Sequence, residues 1–175
     1  ILIWTQYFWP EEFPINDVAG RLVKSGDKVT VLTGKPNYPA GQIFEGYRRF
    51  GFAREHVGEV EIFRVPMVER GRCTGMRIIN YLSFFLSSLT FCFWSLRRQR
   101  FDVVLAYGPS PLPNCLPAAI YAKVTNAKSF IWVQDLWPES VRLSKLNLSP
   151  FIYSLLRFIS WVMFRVFDLI LVQSK

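Results

Sequence analysis

Short, continuous apolar runs alternate with longer amphipathic segments along the whole chain. The runs are rich in β-branched and aromatic residues and predict strands at Ile1–Thr5, Lys28–Thr33, Glu59–Val65, Asp102–Ala106, Ser129–Gln134 and Asp168–Val172. Apolar positions three and four residues apart predict helices at Asn16–Ser25, Thr74–Arg98, Leu112–Thr125 and Pro150–Phe167. Apolar strands that alternate with helices are typical of a parallel sheet covered on both faces. The pattern therefore predicts an α/β fold, a doubly wound parallel sheet in one domain over residues 1–175.

A nine-residue string occurs twice, each time where a predicted strand runs into a loop. The copies are IWTQYFWPE at Ile3–Glu11 and IWVQDLWPE at Ile131–Glu139, and six of the nine positions are identical. Parallel strands of one sheet end at the same edge, which is where open α/β sheets bind ligands. The string therefore predicts one cleft to which both loops contribute.

Four loops leave this predicted edge, and they carry the polar and aromatic side chains expected of a binding cleft. The candidate binding residues are Glu11, Glu12, Asn16, Asp17, Lys35, Asn37, Tyr38, Tyr107, Ser110, Gln134, Trp137 and Glu139. Asp135 directly follows a buried strand, where a carboxylate can orient a sugar hydroxyl or accept its proton, so it is the candidate catalytic residue. Three alternatives stay open: Asp135 caps the following turn, Asn16 caps the first helix, and Trp137 fills the core rather than stacking on a sugar ring.

Several common kinds of site are excluded by what the chain lacks. It has no GxGxxG after the first strand and no P-loop, so the usual nucleotide-phosphate fingerprints are missing. The lone His56 cannot complete a Ser-His-Asp set, and three widely spaced cysteines predict neither a zinc site nor a disulfide framework. The one long loop, 34–58, is of a length typical of functional lids or binding segments.

Two predicted helices carry aromatic residues on the side that a soluble helix would leave polar. In the first, the uncharged stretch Ile78–Leu96 has the length of a membrane span. Its periodicity instead predicts a sheet-packing face of Ile78, Leu82, Phe85, Leu86, Leu89, Phe93 and Leu96. The opposite face combines hydroxyl and amide side chains with large aromatics, namely Asn80, Ser83, Phe84, Ser87, Ser88, Thr90, Phe91 and Trp94.

The last helix repeats this arrangement. Its predicted core stripe is Ile152, Leu155, Leu156, Ile159, Val162, Met163 and Val166, and its other side mixes aromatics with arginines. Outward aromatics beside arginines favour a monotopic contact with the membrane surface. The predicted contact residues are Phe84, Phe91, Trp94, Arg97, Arg98, Arg157, Trp161, Phe164 and Arg165. The alternative is that these aromatics face a missing domain or a protein partner.

The composition points to an anionic partner. The net charge is +8, and 51% of residues are apolar. A basic balance is compatible with nucleic acid, an acidic lipid surface or a phosphorylated substrate. Because the arginines cluster beside apolar helices rather than beside a stacking platform or recognition helix, nucleic acid is disfavoured as the partner.

The rim segments resemble a known family. TQYFWPEEFPINDVAGRLVKSGDKVTVLTGKPNYPAGQIFEGY and VQDLWPES are similar to the N-terminal domain of bacterial glycosyltransferase family 4 enzymes, and most to N-acetyl-L-fucosamine and colanic-acid transferases. The resemblance implies a GT-B fold of two Rossmann-like domains, with this chain as the acceptor-binding half. It implies retaining transfer of a hexosyl or N-acetylamino sugar from a nucleotide-sugar to a polyprenyl-diphosphate-linked acceptor. The setting it implies is the cytoplasmic face of the inner membrane, in surface-polysaccharide synthesis, with no metal or cofactor required.

The resemblance also implies roles for two loops. The chain departs from the family pattern in two ways, a replaced Gly-Gly pair and an expected lack of the C-terminal domain. The Glu12–Asn16 loop would approach the donor diphosphate and the acceptor, and the Gln134–Glu139 loop would line the acceptor pocket. A Gly-Gly pair of many family members is replaced by Phe13-Pro14-Ile15-Asn16. We further expect a chain cut at both ends that lacks the C-terminal donor domain, and hence is inactive alone.

A different class of function stays open, a non-catalytic, membrane-associated module that binds a glycolipid. The residues that follow Lys175 would discriminate the two, since a second Rossmann-like pattern with paired glutamates favours the enzyme. The sequence identifies neither the donor sugar nor the linkage.

Overall fold

The computed structural model describes residues 1–96, 98–109, 111–140 and 149–173. Its strands are β1 (Leu2–Thr5), β2 (Thr30–Thr33), β3 (Ala53–Val57), β4 (Val60–Arg64), β5 (Val103–Gly108), β6 (Lys128–Val133) and β7 (Leu169–Val172). Its longer helices are α1 (Pro14–Lys24), α2 (Thr74–Phe91), α3 (Leu116–Thr125) and α4 (Pro150–Val166). A π-helical turn, Cys92–Leu96, follows α2, and a 3₁₀ turn, Leu112–Cys115, precedes α3.

The strands form one sheet in the order β3-β4-β2-β1-β5-β6-β7. Without β3, every pair is parallel and the order is that of the Rossmann fold, in which successive strands wind outward in both directions from the centre. The predicted α/β, Rossmann-like doubly wound sheet is therefore confirmed.

Strand β3 is a correction to the predicted loop 34–58. It pairs antiparallel with β4 through a hairpin in which Gly58 has φ 57°. Because β3 lies at the sheet edge and is largely exposed, its sequence AREHV is mostly polar and lacks the apolar run of a buried strand. Its arginine and glutamate instead pair with Glu61 and Arg64 of β4.

The sheet is covered by helices on both faces. Helix α1 packs through Ile15 and Ala19 on the face that carries Ile3 and Val31. Helices α2, α3 and α4 share one hydrophobic cluster on the face that carries Trp4. The three therefore form a single layer, and we call the side of this layer that points away from the sheet its outer face.

Helix α1 begins two residues before the predicted cap. Pro14 lies in its first turn and Phe13 is at the N-cap without a side-chain cap. Asn16 lies inside the helix, where its Oδ1 accepts a 3.2 Å hydrogen bond from the Trp9 amide and its Nδ2 donates one of 2.7 Å to the Glu11 carbonyl. The capping alternative for Asn16 is therefore wrong, because its side chain ties down the preceding loop.

Helix α2 packs on the sheet with the face that was predicted to point outward. Its buried residues are Asn80, Phe84, Ser88 and Phe91. Ile78, Leu82 and Leu86, predicted to pack inward, are exposed. The polar residues are buried at little cost because Ser88 bonds to the Phe85 carbonyl of its own helix and Asn80 bonds to neighbouring loops. Phe84 and Phe91 are thus core residues, and their predicted membrane contact is wrong.

Among the described residues, one helix is long and apolar enough to cross a membrane, Thr74–Leu96, by length and composition alone. In this fold the helix lies on the sheet through Phe84 and Phe91, and the turn that follows it is anchored by Cys92 and Leu96.

In helix α4 the buried stripe differs from the predicted one. Ser160 and Met163 are buried, and Leu156, Ile159 and Phe164 pack against the core. Ile152, Leu155 and Val166 were predicted to be core and are exposed, while Phe164 was predicted to be outward and packs inward. The stripe was misplaced because Ser160, which donates a 3.0 Å hydrogen bond to the Trp137 carbonyl, is polar yet faces the core.

Candidate functional site

The centre of the sheet contains the crevice expected of a doubly wound fold. Strands β1 and β5 are neighbours, and the chain leaves them toward opposite edges of the sheet, β1 to β2 and β5 to β6. At such a switch point the loops diverge and leave a cleft beyond the carboxyl ends of the strands. At the floor of this crevice is a small cavity of about 10 Å³, room for about one water molecule. It is lined by Thr5 at the end of β1, by Gln6 after it, and by Tyr107, Gly108 and Pro109 around the end of β5.

A buried chain of amides fixes the floor of this cleft. Gln6 Nε2 donates to Asn80 Oδ1 at 2.7 Å, and Asn114 Nδ2 donates to Gln6 Oε1 at 2.7 Å. Asn80 Nδ2 in turn donates to the Val68 carbonyl at 2.5 Å. All three side chains are buried. The end of β1 is therefore joined to α2, to the 3₁₀ turn and to the segment after β4.

Glu11 holds two rim loops together. Its exposed fraction is 2%, and its Oε1 accepts the backbone amides of Asn37 at 2.8 Å and Tyr38 at 2.7 Å. Its Oε2 accepts the Phe8 amide at 3.3 Å. Burial raises the pKa of Glu11 to about 7 despite these hydrogen bonds, because removal of a carboxylate from water outweighs them. The structure thus places Glu11 beneath the rim, where it orders the loops.

Above Glu11 lies an aromatic cluster of Tyr7, Phe13 and Tyr38. The ring centroids are 5.2 Å apart for Tyr7 and Phe13, 5.3 Å for Phe13 and Tyr38, and 5.6 Å for Tyr7 and Tyr38. Arg70 lies over the Tyr38 ring at 5.0 Å, and its Nη1 donates to the Tyr7 hydroxyl at 3.1 Å. The predicted binding residue Tyr38 therefore belongs to a rigid platform that also holds a cation.

Arg70 was missed by the sequence analysis. The signal available was the group of arginines Arg70, Arg72 and Arg77 around the start of α2, which the sequence analysis interpreted only as positive charge beside an apolar helix. A charge in such a run is usually solvated, and nothing in its sequence position shows that aromatic rings fix it.

A second group of charges lies at the ends of β2 and β4. Arg64 is fully buried, donates to Glu55 at 2.6 Å and to the Gly34 carbonyl at 3.1 Å, and lies 4.9 Å from the Tyr47 ring centre. It also donates to the Trp9 carbonyl. The predicted rim cation Lys35 is buried beside it, and burial together with the Arg64 charge lowers the pKa of Lys35.

Asn37 is also a buried residue and not an exposed rim amide. Its Nδ2 donates to the Lys35 carbonyl at 2.7 Å, and its backbone amide is bound by Glu11. Glu12 and Asp17 are exposed near the start of α1. Ser110 lies outside the described residues.

The second copy of the string borders the other side of β5. The backbone amide of Gln134 donates to the Gly108 carbonyl at 3.2 Å, and the side-chain Oε1 of Gln134 accepts from Gln173 Nε2 at 2.7 Å. Asp135 is exposed, and within the described residues its carboxylate accepts no capping hydrogen bond. It lies near Tyr107, whose pKa is raised to about 12 by burial and, less strongly, by the Asp135 charge. The capping alternative for Asp135 thus has no support in this geometry.

The two copies of the string have opposite exposure. Trp9 is 49% exposed, whereas Trp137 is 7% exposed and lies in the core. Glu11 is buried, whereas Glu139 is exposed and accepts a 3.3 Å hydrogen bond from the Tyr153 hydroxyl. For Trp137 the core alternative is therefore the one observed, and its ring is not available for stacking on a sugar.

No group of three or more His, Cys, Asp or Glu residues within the described ranges is arranged to hold a metal ion.

The outer face of the helical layer is apolar and basic. Its exposed apolar residues are Ile78, Ile79, Leu82, Leu86 and Trp94 from α2 and the π turn, and Phe151, Leu155, Phe158 and Trp161 from α4. Helices α2, α3 and α4 contain no acidic residue. Arg165 lies 4.3 Å from the Trp161 ring centre, and Arg98 and Arg157 are exposed. Of the predicted membrane-contact residues, Arg97 lies outside the described residues.

Comparison with known proteins gives one informative relationship. No family model matches the chain. The chain is 30% identical over 141 residues to WcaI of Escherichia coli strain K12, a protein named as a colanic acid biosynthesis glycosyl transferase. The aligned part is 77% of this chain and 34% of WcaI, so the chain spans about a third of that relative's length. The similarity relates the chain to a glycosyltransferase of polysaccharide synthesis.

Proposed function

We propose that the protein is the acceptor-binding half of a GT-B glycosyltransferase of family 4. The reaction would be retaining transfer of a sugar from a nucleotide-sugar to a polyprenyl-diphosphate-linked saccharide in surface-polysaccharide synthesis. The observation that carries the proposal is the cleft at the β1–β5 switch point, in a chain related to a colanic acid glycosyl transferase. In this scheme the acceptor lies on the rim loops above the switch point, and a second domain brings the donor to them.

The chemistry of the rim suits a hydroxyl-bearing acceptor. Asp135 presents a carboxylate beyond the end of β6, where it can orient a sugar hydroxyl or accept its proton. Glu12 is a second exposed carboxylate at the start of α1. The buried Gln6 and Glu11 have their oxygen atoms engaged within the protein, so their role is to fix the loops that carry the exposed groups.

The outer face of the helical layer supports peripheral attachment to the cytoplasmic face of the inner membrane. An exposed apolar surface bordered by arginines, on helices α2 and α4 that themselves contain no acidic residue, is what an anionic lipid surface binds. Trp161 and Arg165 form the pair of amphipathic side chains that favours the headgroup region. Attachment by this layer would bring the cleft to the depth at which a lipid-linked acceptor presents its sugar.

The proposal is tested with the protein in its full natural length. It would be incubated with a panel of nucleotide-sugars and a polyprenyl-diphosphate-linked monosaccharide acceptor, and product would be detected by mass spectrometry. We expect one nucleotide-sugar to add a single sugar to the acceptor. Retention of the anomeric configuration would be checked by NMR. Hydrolysis or binding without transfer across the whole panel would overturn the proposal.

A further inference from the structure

Arg70 is a cation that aromatic rings, and not a carboxylate, hold in place. Its guanidinium lies over the Tyr38 ring and donates to the Tyr7 hydroxyl. In the described part of the chain, the arginines in ion pairs are Arg49, Arg54 and Arg64. Since a guanidinium has five N–H donors, Arg70 keeps several of them for an anion at the rim.

Tyr7 adds a neutral donor beside this cation. Tyr7 is 2% exposed, and its hydroxyl accepts the Arg70 hydrogen bond, so the proton of that hydroxyl can be donated to an acceptor that also contacts Arg70. Burial raises the pKa of Tyr7 well above its usual value, and the phenol therefore stays protonated at any physiological pH. A fixed guanidinium and a phenol are the donors that bind phosphate oxygens with charge-assisted hydrogen bonds.

An apolar groove begins immediately before Arg70 in the chain. One wall is formed by residues 66–69, and the other by Met76, Ser83 and Ser87 of α2, with Phe50 of the long loop at its end. Only Arg49 and Glu69 of its lining are charged, and they pair with each other at 2.8 Å. The same helix carries Leu82 and Leu86 on the outer face of the layer. The lining of the groove therefore ends at the residue before Arg70 and includes side chains of the helix that carries part of the apolar surface.

We infer that Arg70 and this groove together bind a lipid phosphate, with its phosphate on Arg70 and Tyr7 and the first part of its hydrocarbon chain in the groove. A soluble phosphate compound would use the cation and leave the groove empty, whereas an amphiphile with one chain satisfies both. The inference rests on the proposed function, because it specifies how the lipid-linked acceptor is held. Apart from Tyr7, the residues of this site lie outside the repeated string.

The test compares the binding of farnesyl diphosphate with that of inorganic diphosphate, both below the concentration at which farnesyl diphosphate forms micelles. We expect the wild-type protein to bind farnesyl diphosphate at least about tenfold more tightly, since a few buried methylene groups supply that difference. Ser87→Phe fills the groove, so it should abolish this preference while the affinity for inorganic diphosphate is kept.

Arg70→Gln should weaken the binding of both compounds roughly ten- to a hundredfold, the range for a lost charge-assisted hydrogen bond. Arg72→Gln is the matched control, because it removes the same charge from an exposed neighbour and should leave both affinities within about threefold. Arg70→Lys keeps the charge but not the planar fork, and should give an intermediate loss. Thermal unfolding of each variant shows whether its fold is intact.

Three results would overturn the inference. Equal losses in the Arg70→Gln and Arg72→Gln variants would indicate general charge attraction. An unchanged preference in the Ser87→Phe variant would place the chain elsewhere. Binding of a nucleoside diphosphate sugar through Arg70 as tightly as farnesyl diphosphate would assign the cation to a soluble ligand. These experiments measure binding and not transfer. If the binding results contradict the lipid-phosphate site while sugar transfer is observed, the proposed function stands. If the binding results agree but no sugar is transferred, only the proposed function is overturned.

Discussion

The side chain of Gln6 donates a 2.7 Å hydrogen bond to Asn80, which joins the end of the central strand β1 to the middle of α2. Both residues are buried, and Asn80 also binds the Val68 carbonyl of the segment that leads to Arg70. One amide on a helix thus positions two parts of the cleft. Its removal should affect stability and the site together.

Asn80→Ala should lower the free energy of unfolding by about 2–4 kcal/mol, because it leaves the buried Gln6 Nε2 without this acceptor and removes the hydrogen bond to the part-buried Val68 carbonyl. The measurement is chemical denaturation followed by tryptophan fluorescence. Thr90→Ala, an exposed change on the same helix, serves as the control and should cost much less. Equal losses in the two variants would show that the amide chain does not stabilise the fold.

Glu11 should make stability depend on pH in an unusual direction. Its pKa is about 7 in the folded protein against 4.5 ordinarily, so the native state holds a proton that the unfolded chain releases. The resulting stabilisation is fully present below pH 4.5 and is lost as the pH rises through 7. The difference between the two pKa values corresponds to a contribution of about 3 kcal/mol to the free energy of unfolding.

The measurement is the free energy of unfolding from pH 4 to 8 for the wild type and for Glu11→Gln. The glutamine keeps an acceptor for the Asn37 and Tyr38 amides but does not titrate. The difference between the two proteins should therefore change by about 3 kcal/mol across this range. A constant difference would show that folding leaves the pKa of Glu11 unchanged.

Asp135→Ala in the full-length protein should reduce turnover by at least about a hundredfold, if its carboxylate acts on the acceptor hydroxyl. Stability should change little, because the side chain is exposed and caps nothing in the described residues. Asp102→Ala is the matched control, an exposed aspartate at the opposite edge of the sheet. Transfer at the wild-type rate would remove Asp135 from the mechanism.

The double variant Trp161→Ser, Arg157→Glu should move the protein from the membrane pellet to the supernatant. It removes an exposed aromatic and reverses a charge on the outer face of α4. Co-sedimentation with anionic vesicles at low salt measures the effect. Arg21→Glu reverses a charge on α1, which covers the other face of the sheet, and should leave the protein bound. Retention of both variants in the pellet would count against the helical layer as the attachment surface.

The strands were predictable because each central one is a continuous apolar run, as Leu2–Thr5 and Thr30–Thr33 are. Periodicity misassigned α2 because both of its faces contain large apolar side chains. The side that packs was then decided by tertiary partners of Asn80 and not by apolarity. Those partners come from distant parts of the chain and cannot be identified from the sequence of the helix. The amphipathic pattern therefore predicted the helix correctly but assigned the wrong face to the sheet.

The candidate site, like the fold, was predictable from the sequence only in part. Both copies of the repeated string end parallel strands of one sheet, as predicted, but the second copy contributes no residue to the cavity at the β1–β5 switch point. The string did not indicate which glutamate is buried, because Glu11 and Glu139 occupy equivalent positions and differ only in whether another loop closes over them. Arg70 could not be distinguished from its neighbours, because its aromatic partners come from residues 7 and 38.

Glu11 fixes the loop that follows β2 through the backbone amides of Asn37 and Tyr38, and every residue except proline has such an amide. These two hydrogen bonds, which help to shape the loop, are therefore independent of the side chain at position 38. Substitutions at that position can alter what the rim recognises while the scaffold beneath it is unchanged. This separation of backbone hydrogen bonding from side-chain contact makes position 38 a practical place at which to change what the rim binds.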